Sequence, residues 1–202
     1  MKQVIQIRCK NNKKSQKVEI GSTLFDIFSA FDLKMTHGPV SARVNNKVEG
    51  MHYRVYNSKD VEFLDMTSSS GSRAYTRTLF FVLCKAVQDI YPATDVVIDI
   101  PVSNGFYVDI RLGRPVVDED VNIIRRRMQE IIDARMPIRR FTVPTEEAVA
   151  LFQEKGDVEK VKLLKTSGSI YTTYYKIGDY VDYYYGTLLT NTSQLYLFGL
   201  EK

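Results

Sequence analysis

Four side chains in this sequence could serve as imidazole or thiol catalysts or as soft metal ligands: His37, His52, Cys9 and Cys84. Metal-assisted hydrolysis needs such groups to converge on one point. Neither histidine has a His or Cys partner at ligand spacing, so each reads as a surface or packing residue. The cysteines lie far apart, each in an apolar pattern, and read as two reduced, buried thiols. No G-x-x-x-x-G-K-[ST] loop occurs, so no Walker-type ATP site is present. The remaining groups suited to a ligand are cationic or aromatic. Lys10, Lys13, Lys14 and Lys17 surround one polar turn and are the obvious phosphate contacts; a solvated turn would look the same. Arg125, Arg126 and Arg127 read as a salt-bridged surface, or more sharply as an anion-binding ridge. Seven tyrosines between Tyr171 and Tyr185 could stack nucleobases or fill a sheet surface.

The elements that must position these groups can be read from periodicity. Residues 3–10 and 15–20 alternate as paired strands across Asn11-Asn12-Lys13-Lys14. Ser22 or Thr23 can cap a short helix over LFDIFSAF, with Leu24, Ile27, Phe28 and Phe31 inward. Strands are expected at Val40–Val44, ahead of an Asn45-Asn46 turn, and at Val61–Leu64. Strand, strand, helix, strand, strand in about 65 residues is the order of a ubiquitin-like β-grasp, small but feasible for a domain. Residues 66–72 are Ser/Gly-rich and aperiodic, the best candidate linker.

A wide apolar stripe then predicts a central helix to Tyr91, ended by Pro92. Next comes a hairpin, Asp95 to Leu112, on which the larger half of the molecule is expected to be organised. Asn104-Gly105 is a strong turn signal, and Val96-Val97-Ile98 is apolar on both faces, as in a covered strand. A second helix over Asp118–Arg135 should start with Asp118 as N-cap. It should bury Val121, Ile124, Met128, Ile131 and Ile132. A strand at Ile138–Val143, two short helices meeting near Gly156, and strands at Ile170–Ile177, Tyr180–Tyr185 and Gln194–Gly199 complete the chain.

At 202 residues and 44% hydrophobic content the chain can bury a real core. It has no apolar run long enough to span a membrane and no secretory leader pattern, so a cytoplasmic location is expected. Residues 1–66 hold 11 Lys/Arg against 7 Asp/Glu, while the remainder holds 17 of each. The whole excess of +4 therefore lies in the first third, a mild bias toward a polyanion there that does not by itself identify RNA. The expected class is α+β. Residues 1–66 form the β-grasp, 67–73 a linker, and 74–202 a larger α+β domain with a mainly antiparallel sheet packed by helices.

Particular segments add a resemblance. VEIGSTLFDIFSAF and VSARVNNKVEG resemble the TGS domain at the front of threonyl-tRNA synthetases. AVQDIYPATDVVIDIPVSNGFYVDI, MPIRRFTVPTEEAVALFQEKGDVEKVKLL and YKIGDYVDYYYG resemble, in order, segments of the editing domain of the same enzymes. In that family the editing site uses a His-x-x-x-His on the long helix and a Cys-x-x-x-His after the Gly-Asp segment. Carried over, the first pair falls at Arg77 and Phe81 and the second at Tyr184 and Leu188, so none of the four is retained. Asp182, two residues before the missing Cys, does match a family site position. The resemblance implies a degenerate pocket lined by Arg77, Phe81, Tyr107, Asp182, Tyr184 and Leu188, with no catalytic or metal-ligating residue.

The same domain pair also resembles the region ahead of the P-loop domain in bacterial uridine kinase-family nucleoside kinases. Three readings follow. The leading one is a non-catalytic regulatory or ligand-binding module of a larger nucleoside kinase. No cofactor is then expected in this segment, ATP and Mg belong to the downstream kinase domain, and that domain is the partner, with a nucleoside, nucleotide or RNA ligand also open. The alternative is a tRNA- or RNA-binding module that has lost aminoacyl-tRNA editing. The third is an aminoacyl-tRNA hydrolase that would need a bound metal or Asp182 as an unusual base.

Overall fold

Alternation in QVIQIRCK and SQKVEI produces the first hairpin, β1 (Val4–Cys9) and β2 (Ser15–Glu19), antiparallel with Ile5 facing Val18. The computed structural model describes residues 3–92, 94–103 and 105–202. By compactness the chain divides into Met1–Met136 together with Thr187–Lys202, and Pro137–Gly186.

In the first unit β1 and β2 join β3 (Ser41–Val44), β4 (Lys47–Gly50) and β5 (Lys59–Leu64) in one sheet of order β2-β1-β5-β3-β4. β1 and β5 run parallel and every other pair is antiparallel, which is the β-grasp topology. Helix α1 (Leu24–Ala30) starts at Thr23, whose hydroxyl accepts from Asp26 N while the Asp26 carboxylate accepts from Thr23 N. Leu24 and Ile27 bury against Ile7, Met51, Val61 and Phe63. Strand β4 has no counterpart in the sequence reading, because KVEG offers one strong strand former and no alternation.

Helix α2 (Ser69–Ile90) begins inside the stretch read as a linker. Ser68 caps it, accepting from Gly71 N at 3.1 Å. Gly71 is buried, and a Cβ there would meet the Asp65 carbonyl oxygen and sit 2.8 Å from Val40 Cγ2. The Ser/Gly composition therefore reflects capping and close packing rather than flexibility. Helix α3 (Asp118–Asp133) buries the five apolar residues that its spacing predicts. Its N-cap is Val117, not Asp118. Asp120, in the first turn, reaches back to accept from Val117 N at 2.9 Å.

The hairpin β6 (Val96–Val102) and β7 (Gly105–Ile110) forms a separate two-stranded sheet. It is not the covered centre that the sequence reading expects. Val96, Val97 and Ile98 are half-buried, and Ile100, Val102, Phe106 and Tyr107 are exposed. Gly105 already pairs with Val102, and Ser103 takes a positive φ of 53°. Gly105 is thus already part of the strand, and the Asn104 half of the expected turn lies outside the described residues.

The C-terminal segment returns to this unit. Its expected strand at Gln194–Gly199 does not form; a 3-10 turn at Thr192–Gln194 and extended chain take its place. Side chains rather than a ladder hold it. Thr78 Oγ1 accepts from Leu189 N at 2.8 Å, and Thr192 Oγ1 donates to Ile131 O at 2.9 Å. Tyr75 OH accepts from Leu197 N at 2.8 Å and Tyr196 N at 3.0 Å.

In the second unit β8 (Arg139–Pro144), β9 (Tyr171–Ile177) and β10 (Tyr180–Tyr183) make an antiparallel sheet of order β10-β9-β8. Helices α4 (Thr145–Glu154) and α5 (Val158–Thr166) are joined through Gly156, at φ +75°. Ala148, Phe152, Leu164 and Val181 form the core on one sheet face, with Val143, Tyr174 and Tyr183 beside them. Cys9 is buried as expected, Cys84 is only half-buried, and both are free thiols. Among the described residues no helix is long and apolar enough to cross a membrane.

Candidate functional site

Asp182 is the carried-over position that retains a chemical group, and β10 places it opposite Tyr175 on β9. Its carboxylate is 7% exposed and heavily engaged. Lys160 Nζ, from α5, lies 2.9 Å from Oδ1, Tyr180 OH donates to Oδ2 at 2.8 Å, and Tyr183 N donates to Oδ1 at 2.7 Å. Lys160 also pairs with Asp157 at 2.7 Å and lies over the Phe152 ring. Burial alone would pull the pKa of Lys160 down, but the two carboxylates outweigh it and the net shift is upward. The carboxylate oxygens are thus already occupied by an ammonium, a phenol and an amide, which leaves neither of them turned free toward a substrate. Lys160 escaped the sequence reading. The detectable signal was Asp157-x-x-Lys160 at a helix start, which brings acid and base together within one turn.

Two of the other carried-over positions hold buried apolar side chains. Phe81, on α2, is fully buried, and Leu188 is 2% exposed. Arg77 is half-buried on α2, one helical turn before Phe81, and Tyr184 is half-buried after β10. Tyr107 lies on β7 with 59% of its surface exposed. Arg77, Phe81, Tyr107 and Leu188 belong to the first unit, and Asp182 and Tyr184 to the second. None of these six lines any of the three clefts found in the β-grasp. Among the described residues no three His, Cys, Asp or Glu side chains are grouped to hold a metal ion.

The histidines take packing roles. His37 stacks on Tyr196, its Nδ1 2.9 Å from the phenol, and His52 meets the edge of Phe25. The tyrosine cluster divides. Tyr174 stacks on Phe141 with centroids 5.2 Å apart, and Tyr175 is buried, donating to Gly186 O at 2.8 Å. Tyr171 and Tyr185 are exposed. Of the three arginines, Arg127 bridges Asp89 and Glu130, the salt-bridged reading.

The lysine turn is the most cationic feature of the β-grasp. Lys10, Lys13, Lys14 and Lys17 are all exposed, and Lys13 takes φ +60°. Asn11 fixes this turn to β5. Its side-chain amide donates to Phe63 O at 2.9 Å and accepts from Phe63 N at 2.8 Å, as a neighbouring strand residue would. A cleft of about 540 Å³ opens beside it, lined by Asn12, Lys14, Asp32, Leu33, Lys34 and Met35. Lys34, distant in sequence, is brought to Lys14 only by the fold.

No family model matches the chain. It is similar to threonine–tRNA ligases. With that of Clostridium kluyveri it shares 30% identity over 193 residues, which is 95% of this chain and 30% of the relative. With that of Acetivibrio thermocellus it shares 29% identity over 181 residues, 89% of this chain and 28% of the relative. With that of Clostridioides difficile the figures are 28% over 188 residues, 93% and 29%. The chain spans about three-tenths of the length of these relatives. It is a mixed α+β module related to threonine–tRNA ligases.

Proposed function

We propose that the chain is an RNA-binding module, related to threonyl-tRNA synthetases through a TGS-like β-grasp and an editing-like region, that has lost aminoacyl-tRNA editing. The observation that carries this reading is the content of the four ligand positions. Arg77, Phe81, Tyr184 and Leu188 supply no imidazole and no thiol, while similarity to the relatives extends over nearly the whole chain. Asp182, tied to Lys160, supports the same loss of hydrolysis. The exposed lysine turn supplies phosphate contacts.

Binding of tRNA measured across a salt series tests the reading. Affinity should fall steeply with salt, and replacing Lys10, Lys13, Lys14 and Lys17 together by Gln should flatten the log–log slope by about 3. Binding indifferent to salt, or hydrolysis of aminoacyl-tRNA above the spontaneous rate, would defeat it.

The same loss of ligands supports a second reading, a regulatory module fused ahead of a nucleoside kinase that uses ATP and Mg. Tryptic mapping of the native protein decides it. A Walker-loop peptide from a longer product favours the kinase fusion, whereas peptides of a synthetase core argue against it. Either reading places the protein in the cytoplasm.

A further inference from the structure

The pairing of β8 with β9 sets Arg139 directly opposite Lys176. Both are exposed. By strand alternation they share the face carrying Phe141 and Tyr174, the stacked pair two residues along each strand. Like charges placed directly across a ladder destabilise it, since the two side chains lie only about 5 Å apart at Cβ. Neither side chain has an ion-pair partner among the described residues. Two acids of this unit, Asp157 and Asp182, are both held by Lys160.

This juxtaposition is not the by-product of a uniformly basic surface. Residues 137–186 contain seven Lys/Arg and seven Asp/Glu. Carboxylates are abundant in this unit, yet none neutralises the pair. An anion bound between the two would remove the repulsion and gain both charges at once. The guanidinium offers two parallel N–H donors to phosphate oxygens, and the ammonium adds a movable third.

We propose that Arg139 and Lys176 form a phosphodiester-binding pair that grips the backbone of an RNA. The proposal rests on the RNA-binding reading and adds a second contact, in the other compact unit, to the lysine turn.

The test uses the full chain with tRNA, and inorganic phosphate as the small-anion arm. In Arg139→Gln/Lys176→Gln the log–log salt slope for tRNA should fall by about 2, one for each lost phosphate contact. In the absence of RNA at low salt, Arg139→Gln should raise Tm by about 1–2 °C by relieving the repulsion. Arg139→Glu, which replaces repulsion with attraction, should be more stable still and bind tRNA more weakly than Arg139→Gln. Stability and affinity moving in opposite directions is a result that a merely structural pair cannot give.

If the slope is unchanged in the double variant while the four-lysine variant loses binding, the pair plays no part and the RNA reading stands. If the wild-type chain does not bind tRNA, both fall. A Tm increase with millimolar phosphate that the double variant loses, without any change in tRNA binding, would also overturn the proposal by marking the site as one for a free anion.

Discussion

Lys160 is held by two carboxylates and returns its charge to a nearly buried Asp182. Removing the ammonium leaves that carboxylate without its counter-charge. Since Lys160 is about one-third exposed, water replaces part of the loss. Lys160→Met should cost about 2 kcal/mol in urea unfolding. Asp182→Asn should recover part of the loss in the Lys160→Met background, giving a coupling that a double-mutant cycle measures. A second network binds the end of α2 to the start of α3. Asp120 accepts from both Arg114 Nη atoms at 2.6 and 2.7 Å and from Tyr91 OH at 2.6 Å. The Arg114 hydrogen bonds, then those of Tyr91 and Val117 N, hold the Asp120 carboxyl well below the usual carboxylate range. A depressed carboxylate contributes stability that is complete above its unfolded pKa of about 3.9 and is lost as pH falls toward its folded value. Arg114→Gln should therefore be less stable than wild type at neutral pH. The gap should close as acid titration passes below pH 4, which Tm against pH will show.

At the scale of elements, small residues and side-chain amides hold the pieces in place. Gly71→Ala would drive a methyl group into the Asp65 carbonyl and Val40. The start of α2 must then move, at a cost of about 2 kcal/mol by thermal or denaturant unfolding. Asn11→Ala removes two hydrogen bonds to the backbone of Phe63 and should cost about 1–3 kcal/mol while loosening the lysine turn. Both roles escape sequence reading for one reason: a Gly in a Ser-rich stretch and an Asn in a polar turn have the composition of flexible chain. The hairpin shows the opposite failure. An apolar run suits a covered strand and an exposed one alike. Only the tertiary structure decides between them, and it leaves Ile100, Val102, Phe106 and Tyr107 exposed.

Across the whole molecule, chain ends and distant segments are joined through single side chains. Tyr75 OH donates to Leu197 O at 2.8 Å as well as accepting two amides, and so fixes the returning C-terminal segment to α2. Tyr75→Phe should cost about 1–2 kcal/mol and raise hydrogen exchange in residues 195–198 before other regions. Gln194 Nε2 donates to Pro39 O at 3.2 Å, so loosening this segment should also reach the loop that follows α1.

Periodicity alone determined most of the elements, because alternation and the 3.6-residue stripe are local properties of a chain with one buried face. A helix start at Ser22 or Thr23, the five inward residues of α3 and the order of the β-grasp apart from β4 were legible in this way. That Arg77, Phe81, Tyr184 and Leu188 offer no imidazole and no thiol was legible too, because residue type is read directly from the chain. The tertiary structure decided what each group faces. It set Lys160 against Asp182, brought Lys34 beside Lys14, and placed Arg139 across from Lys176. It also left the β6–β7 hairpin largely uncovered. Those outcomes depend on register and on contacts between residues far apart in sequence, and no local pattern encodes them.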